Sequence, residues 1–180
     1  MRALPLAVGV VAAALLLTGC SDDGGDSGGK ADADSGAKKS GSACTFDEMT
    51  VQVGPANAAP AVGDTGNVPV TLTNKGAACT LDGLPGVDLH AGATSATVAP
   101  DEAANAKKTT LTKGGVTSFT ITYVRGEGGG TKSLGVKSAT FTLPGSTDTH
   151  SFKWSYGDVA LKSDGQAPDA SVSGFQQTGD

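Results

Sequence analysis

Hydrophobic and polar residues alternate in short runs along most of the chain. The clearest run is 118–124, where Phe119, Ile121 and Tyr123 fall on one side and threonines on the other. Alternation with a period of two is typical of a half-buried β-strand. We therefore predict that this segment is a central strand of a sheet.

Six further runs share this pattern, and Gly, Pro, Asn or Asp residues separate them. They are residues 49–53, 68–73, 87–90, 109–111, 138–143 and 151–154. Helical patterns are nearly absent; the acidic start and basic end of residues 101–108 suit either one or two helical turns or a loop. About seven short strands predict an all-β fold, an antiparallel sandwich of two sheets.

The first nineteen residues follow a different pattern, in which Arg2 precedes an apolar run from residue 4 to residue 17. A transmembrane helix needs about 20 apolar residues, so the length favours a signal peptide over a stop-transfer anchor. The run ends in Leu17-Thr18-Gly19-Cys20, which resembles the bacterial lipobox. This resemblance implies that residues 1–19 are removed, that Cys20 is lipidated, and that the protein is anchored at the extracytoplasmic face of the cell membrane.

Lipidation of Cys20 would leave Cys44 and Cys79 as an even pair among the three cysteines. A disulfide or two free buried thiols both fit this count, and an oxidising compartment favours the disulfide. Such a bridge would close a loop of about 36 residues and stabilise the fold by about 3–4 kcal/mol.

Residues 20–43 comprise Cys20 and a stretch of Gly, Ser, Asp and Ala with almost no large apolar side chain. Such a composition cannot offset the entropy cost of folding, so we predict a flexible linker. Its ends would lie about 25 Å apart on average.

The formal net charge of the chain is −5, and loss of Arg2 with the leader would make it −6. The lysines are scattered and form no basic patch. An acidic protein of this kind is not attracted to phosphate backbones, so nucleic acid is not expected as a partner.

Residues 74–87 read Asn-Lys-Gly-Ala-Ala-Cys-Thr-Leu-Asp-Gly-Leu-Pro-Gly-Val and follow a strand-like Val-Thr-Leu-Thr. This motif resembles the DUF4232 domain, an extracytoplasmic actinobacterial domain of unknown function, and Cys44 stands where the family has its first cysteine. The resemblance implies an immunoglobulin-like sandwich over residues 44–156, one Cys44–Cys79 disulfide and a surface lipoprotein. It brings no catalytic residues. Residues 157–180 would form a tail that either packs on the domain or trails free.

The residue types in this motif suit turns. Asn74 and Gly76 are expected at left-handed positions, and Pro85-Gly86 in a tight turn. Turn chemistry alone explains the motif, so we interpret it as structural rather than ligand-binding.

Two pairs of residues are candidates for chemistry. Asp88 and His90 lie two apart on a predicted strand and so face the same side, which suits a solvated ion pair better than a metal site lacking further ligands. Trp154 and Tyr156 also share a face and suit either a small aromatic platform for a ligand or, for Trp154, a place in the core.

These observations predict a membrane-anchored extracytoplasmic lipoprotein that is not an enzyme and needs no cofactor or metal. We expect a binding or interaction module of the cell envelope, with the membrane as partner through the lipid anchor and an envelope protein or small ligand as the bound species. A passive structural component of the wall or surface is the alternative. A secreted hydrolase ranks last, because no serine stands out as a nucleophile in a strained turn.

Overall fold

A computed structural model describes residues 41–177. The predicted signal peptide, Cys20 and the linker up to residue 40 lie outside the described residues. Within the described part, no helix is long and apolar enough to cross a membrane. One 3-10 helix, Phe46–Glu48, precedes fourteen strands. The strands are β1 (Met49–Val53), β2 (Thr65–Asn74), β3 (Cys79–Gly83), β4 (Gly86–Ala91), β5 (Thr94–Thr97), β6 (Ala99–Pro100), β7 (Lys107–Leu111), β8 (Val116–Val124), β9 (Ser133–Leu134), β10 (Ser138–Thr142), β11 (Thr149–Lys153), β12 (Val159–Ala160), β13 (Ala170–Val172) and β14 (Gln176–Gln177).

Two larger sheets and two small ones make up the architecture. The larger sheets have six strands, in the order β1-β2-β8-β13-β6 with β14 also paired to β8, and four strands, in the order β11-β10-β4-β5. Pairing is antiparallel except between β13 and β6. The pairs β3-β7 and β9-β12 form the small sheets. The predicted all-β class is confirmed.

The core lies between the inward faces of the two larger sheets. Phe119 of β8 packs edge to face on Phe141 of β10, with ring centroids 5.2 Å apart. Alternate residues of β2 and β8 are buried, so the period-two pattern read from the sequence marks the core side of both strands. Near the other end of β8, Tyr123 contacts Trp154 at 5.1 Å in a similar edge-to-face geometry.

All seven predicted strands are present, with ends shifted by a few residues. The structure adds seven more, so the predicted count of about seven was too low. The added strand β3 is buried at Cys79, Thr80 and Leu81 in succession and therefore shows no alternation. The other six have only two to four residues, too few to show a pattern. Residues 101–106 form a loop, and Lys107 already belongs to β7.

The tail beyond residue 156 packs on the domain. β13 pairs with β8 at Tyr123, Thr122 and Ile121, and β14 pairs with the same strand at Ser118 and Thr117. Between them the ring of Phe175 lies 5.8 Å from that of Phe119. The β-domain therefore continues past residue 156, where the sequence prediction ended it.

The predicted turn at residues 74–76 has a different physical basis from the one expected. Asn74 is the last residue of β2 and is completely buried. Gly76 does not have a positive φ; a Cβ there would come within 2.5 Å of the carboxyl carbon of Glu48. Gly86 has no positive φ either and is the first residue of β4; a Cβ there would approach the Thr142 hydroxyl to 2.6 Å. Contacts with the Glu48 and Thr142 side chains, and not a left-handed backbone, therefore limit the space at these two glycines.

Asn74 clamps two turns together. Its Nδ2 donates to the carbonyl oxygens of Ala77 (2.8 Å), Leu111 (3.0 Å) and Thr112 (3.2 Å), and its Oδ1 accepts from the backbone N–H of Gly76 at 2.9 Å. One buried side chain thus joins the turn after β2 to the turn after β7. It leaves no buried polar atom of its own unsatisfied.

The predicted disulfide is present: Cys44 and Cys79 are bonded, with their Cα atoms 4.9 Å apart. The backbone N–H of Cys44 donates to the carbonyl of Thr80 at 3.0 Å, and Thr80 donates in turn to the carbonyl of Ser42 at 2.9 Å. The chain therefore joins the domain beside β3. Because Cys79 lies just beyond the end of β2, this is the end of the sandwich at which β8 begins.

Candidate functional site

The structure separates Asp88 and His90 from any shared chemistry. Both lie on the outward side of β4, as predicted, but each binds a threonine of a neighbouring strand. The Asp88 carboxylate accepts from the Thr97 hydroxyl at 2.6 Å, and His90 Nε2 lies 2.8 Å from the Thr140 hydroxyl. No ion pair joins them, and no cluster of three or more potential metal ligands occurs within residues 41–177.

Trp154 belongs to the core. Its side chain is 4 % exposed, and its Nε1 donates to the carbonyl of Gly157 at 2.7 Å. Tyr156 is half-buried and packs edge to face on the Trp154 ring at 4.9 Å. The indole is therefore not open to a ligand, in line with the core interpretation rather than the aromatic platform.

The Tyr156 phenol has an unusual environment. Burial, and secondarily the neighbouring Tyr123, raise the pKa of Tyr156 above its ordinary value. Tyr123 itself donates to the carbonyl of Tyr156 at 2.8 Å and accepts from the backbone N–H of Ala59 at 3.3 Å. The Tyr123 hydroxyl therefore holds both the loop around residue 59 and the backbone of Tyr156 against the end of β8.

A cleft opens at this same end of β8. We call it the Arg125 cleft; its volume is about 350 Å³. The cleft is lined by Val62 and Gly63 from the loop before β2, by residues 124–127 and 130–133 around the end of β8, and by Ala160 and Leu161 of the β12 region. β8 spans nine residues, which extend about 27 Å, so the cleft lies well away from the disulfide end.

Val62 stands out in the cleft wall because its side chain is 63 % exposed. It sits on a turn that Asp64 closes, since the Asp64 carboxylate accepts from the backbone N–H of Ala61 at 3.0 Å. The turn is fixed to β8 by two backbone hydrogen bonds of 2.8 Å, Gly63 to Arg125 and Arg125 to Asp64. The apolar side chain is thus held open to solvent by an ordered turn.

Arg125 is one of two positively charged residues that line the cleft. Its Nη1 donates to the carbonyls of Ala59 (2.8 Å) and Pro60 (3.2 Å). No carboxylate in the described part of the chain forms an ion pair with this guanidinium. The other charged lining residues are Lys132 and Glu127, so the cleft carries one more positive than negative charge in a chain of net charge −5.

The glycine-rich loop after Arg125 is held in place by packing. Gly126 is buried, and a Cβ there would overlap the Ser133 side chain and come within 2.9 Å of the backbone nitrogen of Ala160. The Asp158 backbone carbonyl accepts from Gly126 at 2.8 Å, and its carboxylate accepts from Gly129 at 3.0 Å. The far wall of the cleft is therefore ordered as well.

Sequence reasoning did not single out Val62 or Arg125. Val62 lies in an Ala- and Pro-rich loop without periodicity, so no pattern marks it. Arg125 offered a usable signal, because it directly follows the most regular strand and directly precedes Gly-Glu-Gly-Gly-Gly. A cation at the junction of a rigid strand and a loop is a common place for a binding residue.

A second cleft, of about 370 Å³, lies between residues 101–107 and residues 173–176. Its polar groups are largely engaged locally: the Asp101 carboxylate accepts from the Ala103 backbone at 2.8 Å, and Asn105 donates to the Ala103 carbonyl at 3.0 Å. It has neither an exposed large hydrophobic residue nor an unpaired arginine. The Arg125 cleft is the better candidate.

Comparison with known proteins gives one match. No curated protein and no solved structure matches the chain. The family model described as "Domain of unknown function (DUF4232)" matches residues 44–176, from the first disulfide cysteine to β14. This range covers most of the chain and includes the tail strands that pair with β8. The chain belongs to the DUF4232 family.

Proposed function

We propose that this protein is a non-catalytic binding module of the cell envelope, anchored to the membrane through Cys20, and that the Arg125 cleft holds its partner or ligand. The observation that supports this proposal most is the combination in one ordered cleft of an exposed valine and an arginine without a carboxylate partner. Apolar surface and a few directed polar groups together are typical of binding sites.

The chemistry of the cleft favours a partner that carries an acidic group beside an apolar one. The apolar part of the partner would cover the exposed surface of Val62. Burial of apolar surface is favourable by about 25 cal/mol per Å². The Arg125 guanidinium retains donors that Ala59 and Pro60 do not use, and it suits carboxylates by geometry. A carboxylate would complete the ion pair that the described residues do not supply.

The anchoring part of the proposal rests on the lipobox-like motif and on the disulfide, which is characteristic of oxidising compartments. Growth of producing cells with an alkyne-labelled fatty acid tests it. We expect label on the wild-type protein and none on Cys20→Ala, with the labelled protein in the membrane fraction. Unlabelled, soluble wild-type protein would contradict the anchor.

Crosslinking on intact cells tests the binding part. The wild-type protein, Val62→Asp and Val116→Asp are compared after recovery and mass spectrometry. Val62 and Val116 are the two exposed large hydrophobic residues of the described part, and Val116 lies at the opposite end of β8. A crosslinked partner that is lost in Val62→Asp and kept in Val116→Asp is the expected result. Equal recovery of that partner with both variants would exclude the cleft.

A passive structural component remains the second candidate, and one observation favours it. Apart from Val62 and Val116, no large hydrophobic residue is exposed within residues 41–177, so most of the surface is evenly polar. A spacer needs no partner. If the crosslinking experiment recovers no specific protein, and neither the growth nor the shape of the cells changes with a cleft variant, a passive structural role explains the protein better.

A further inference from the structure

Strand β1 forms an edge of the six-stranded sheet, and within residues 41–177 it pairs with β2 alone. The residues that flank it both bond to the β2 side: the Glu48 carbonyl accepts a hydrogen bond of 2.7 Å, and the Gly54 N–H donates one of 2.8 Å. Backbone groups alternate in direction along an antiparallel strand, so the even-numbered residues of β1 direct theirs at β2. The odd-numbered residues, Met49, Val51 and Val53, direct theirs away from the sheet.

Most of these outward backbone groups have no partner. The Met49 N–H donates to the carbonyl of Phe46, which leaves the Met49 carbonyl. In the part of the chain that the structure describes, neither that carbonyl nor the N–H and carbonyl groups of Val51 and Val53 form a hydrogen bond. A row of unpaired backbone groups is a template for a further strand.

The other edges of the two larger sheets are less suited to such pairing. β6 and β14 have two residues each, and β6 ends in Pro100. β5 has four residues and no side chain larger than threonine, and β11 carries His150 and Lys153. Short strands, proline and lysine are the usual protection of an edge against pairing. β1 has five residues, no proline and no charge, and it leaves Val51 and Val53 only half-buried at the rim of the core.

A second copy of β1 fits this edge when it lies antiparallel, with the two Val51 residues opposite each other. Each Val51 then donates to and accepts from the other, and each Val53 N–H donates to the Met49 carbonyl of the other copy. The Met49 N–H, which already bonds to Phe46, is not needed. Of the outward groups that lack a partner, only the Val53 carbonyl stays free. The edge is therefore complementary to itself under two-fold symmetry.

The side chains match in the same register. Toward the core, the half-buried Val51 residues of the two copies would cover each other, and burial of apolar surface is favourable. On the outward side, Thr50 of one copy lies opposite Gln52 of the other, so two uncharged hydrogen-bonding groups meet. The acidic residues Asp47 and Glu48, just before the strand, lie opposite the Gly54-Pro55 segment of the other copy. No like charges are opposed along the pair.

We propose that β1 pairs with β1 of a second copy of this chain, so that the two six-stranded sheets continue into each other in a two-fold symmetric dimer. A single pair of five-residue strands buries little surface, so the dimer forms reversibly and only at high local concentration. No residue of β1 lines the Arg125 cleft, and the proposal does not depend on the function proposed for that cleft.

Mixed disulfide formation tests the register. The purified full chain carries Cys20→Ser, so that the introduced cysteine is the single free thiol beside the Cys44–Cys79 bridge. In the proposed dimer, Thr50→Cys of one copy lies about 4.5 Å in Cα distance from Gln52→Cys of the other, which suits a disulfide. Two identical variants place their cysteines diagonally, about 7–8 Å apart, which does not. We expect the mixture of the two variants to crosslink and each variant alone to stay largely uncrosslinked in a glutathione redox buffer.

Charge substitution at the same two exposed positions tests the affinity, by sedimentation equilibrium over a concentration series. Thr50→Lys/Gln52→Lys opposes two pairs of like charges across the dimer, and Thr50→Glu/Gln52→Lys opposes two pairs of opposite charges. We expect dimerisation about fivefold weaker than wild type for the first variant and about fivefold stronger for the second. Net charge alone predicts the reverse for the first variant, because two added lysines reduce the magnitude of the net charge of −5. Unchanged urea midpoints would show that both variants fold normally.

Three results would overturn the proposal. A monomer at every concentration excludes the dimer. Equal crosslinking of the mixture and of the separate variants assigns the disulfides to random collision. Dimers of equal affinity in the two charge variants place the contact on a surface other than β1. None of these results bears on the cell experiments with the Arg125 cleft.

Discussion

Replacement of Asn74 by alanine should lower the free energy of unfolding by about 3 kcal/mol, although the residue touches no ligand. The Asn74 side chain makes hydrogen bonds to three carbonyl groups and to one N–H, and it is completely buried. A buried hydrogen bond contributes about 1 kcal/mol net, and Nδ2 has only two hydrogens for its three acceptors, so three bonds are a fair count. A loss of about 3 kcal/mol is large beside a total stability of 5–15 kcal/mol.

Urea unfolding measures this loss, because Trp154 is the only tryptophan and its buried indole reports on the core. We expect a lower midpoint and an unchanged m-value. Asn105→Ala is the control: that side chain is exposed, donates one hydrogen bond and should cost about 0.5 kcal/mol or less. Asn74→Asp should cost at least as much as Asn74→Ala, since it places carboxylate oxygen against carbonyls. If Asn74→Ala changed the free energy of unfolding by less than about 1 kcal/mol, the stabilising role of the Asn74 hydrogen bonds would be refuted.

Three further predictions concern the disulfide, a glycine and a phenol. Cys44→Ala/Cys79→Ala should lower the free energy of unfolding by about 3–4 kcal/mol, since the bridge spans a sequence separation of 35 residues; urea unfolding would contradict this if the midpoint stayed the same. Gly66→Ala should lower the melting temperature strongly, because a Cβ would come within 2.5 Å of the β8 tyrosine ring and 2.8 Å of a backbone nitrogen. Gly128→Ala is the control: a Cβ there would have nothing within 4 Å, so the melting temperature should stay unchanged. The raised pKa of Tyr156 means that the folded state keeps a proton that the unfolded chain releases near its ordinary pKa of about 10. The free energy of unfolding should therefore fall as the pH rises above about 10. Tyr156→Phe should weaken this fall, which thermal melts at alkaline pH measure.

The strands that sequence reasoning predicted are those whose two faces differ. β2 and β8 have one side in the core and one side in solvent, so their alternation is visible in the sequence. β3 was not predicted because its successive residues are buried, and β13 was not predicted because three residues are too few to show alternation. The pairing of the tail with β8 depends on contacts between residues about 50 apart, which no local pattern records.

The candidate site was harder to predict than the fold. The cysteine count correctly indicated the bridge, since covalent chemistry leaves a trace in composition. Exposure and the absence of an ion-pair partner leave no such trace in the sequence. The valine of the Arg125 cleft looks like any loop valine, and only the structure shows that no carboxylate pairs with the arginine. Likewise Asn74 and Gly76 were correctly interpreted as structural, while their packing role required coordinates.

The most direct test of the proposed function places a photo-reactive amino acid at position 62 or, as the control, at position 116 of the full chain in producing cells. Illumination followed by mass spectrometry identifies whatever lies against each position. We predict a specific adduct from position 62 that is reduced in an Arg125→Gln background, and no such adduct from position 116. The same adducts from both positions, or none from position 62 at normal expression, would contradict the cleft as a binding site.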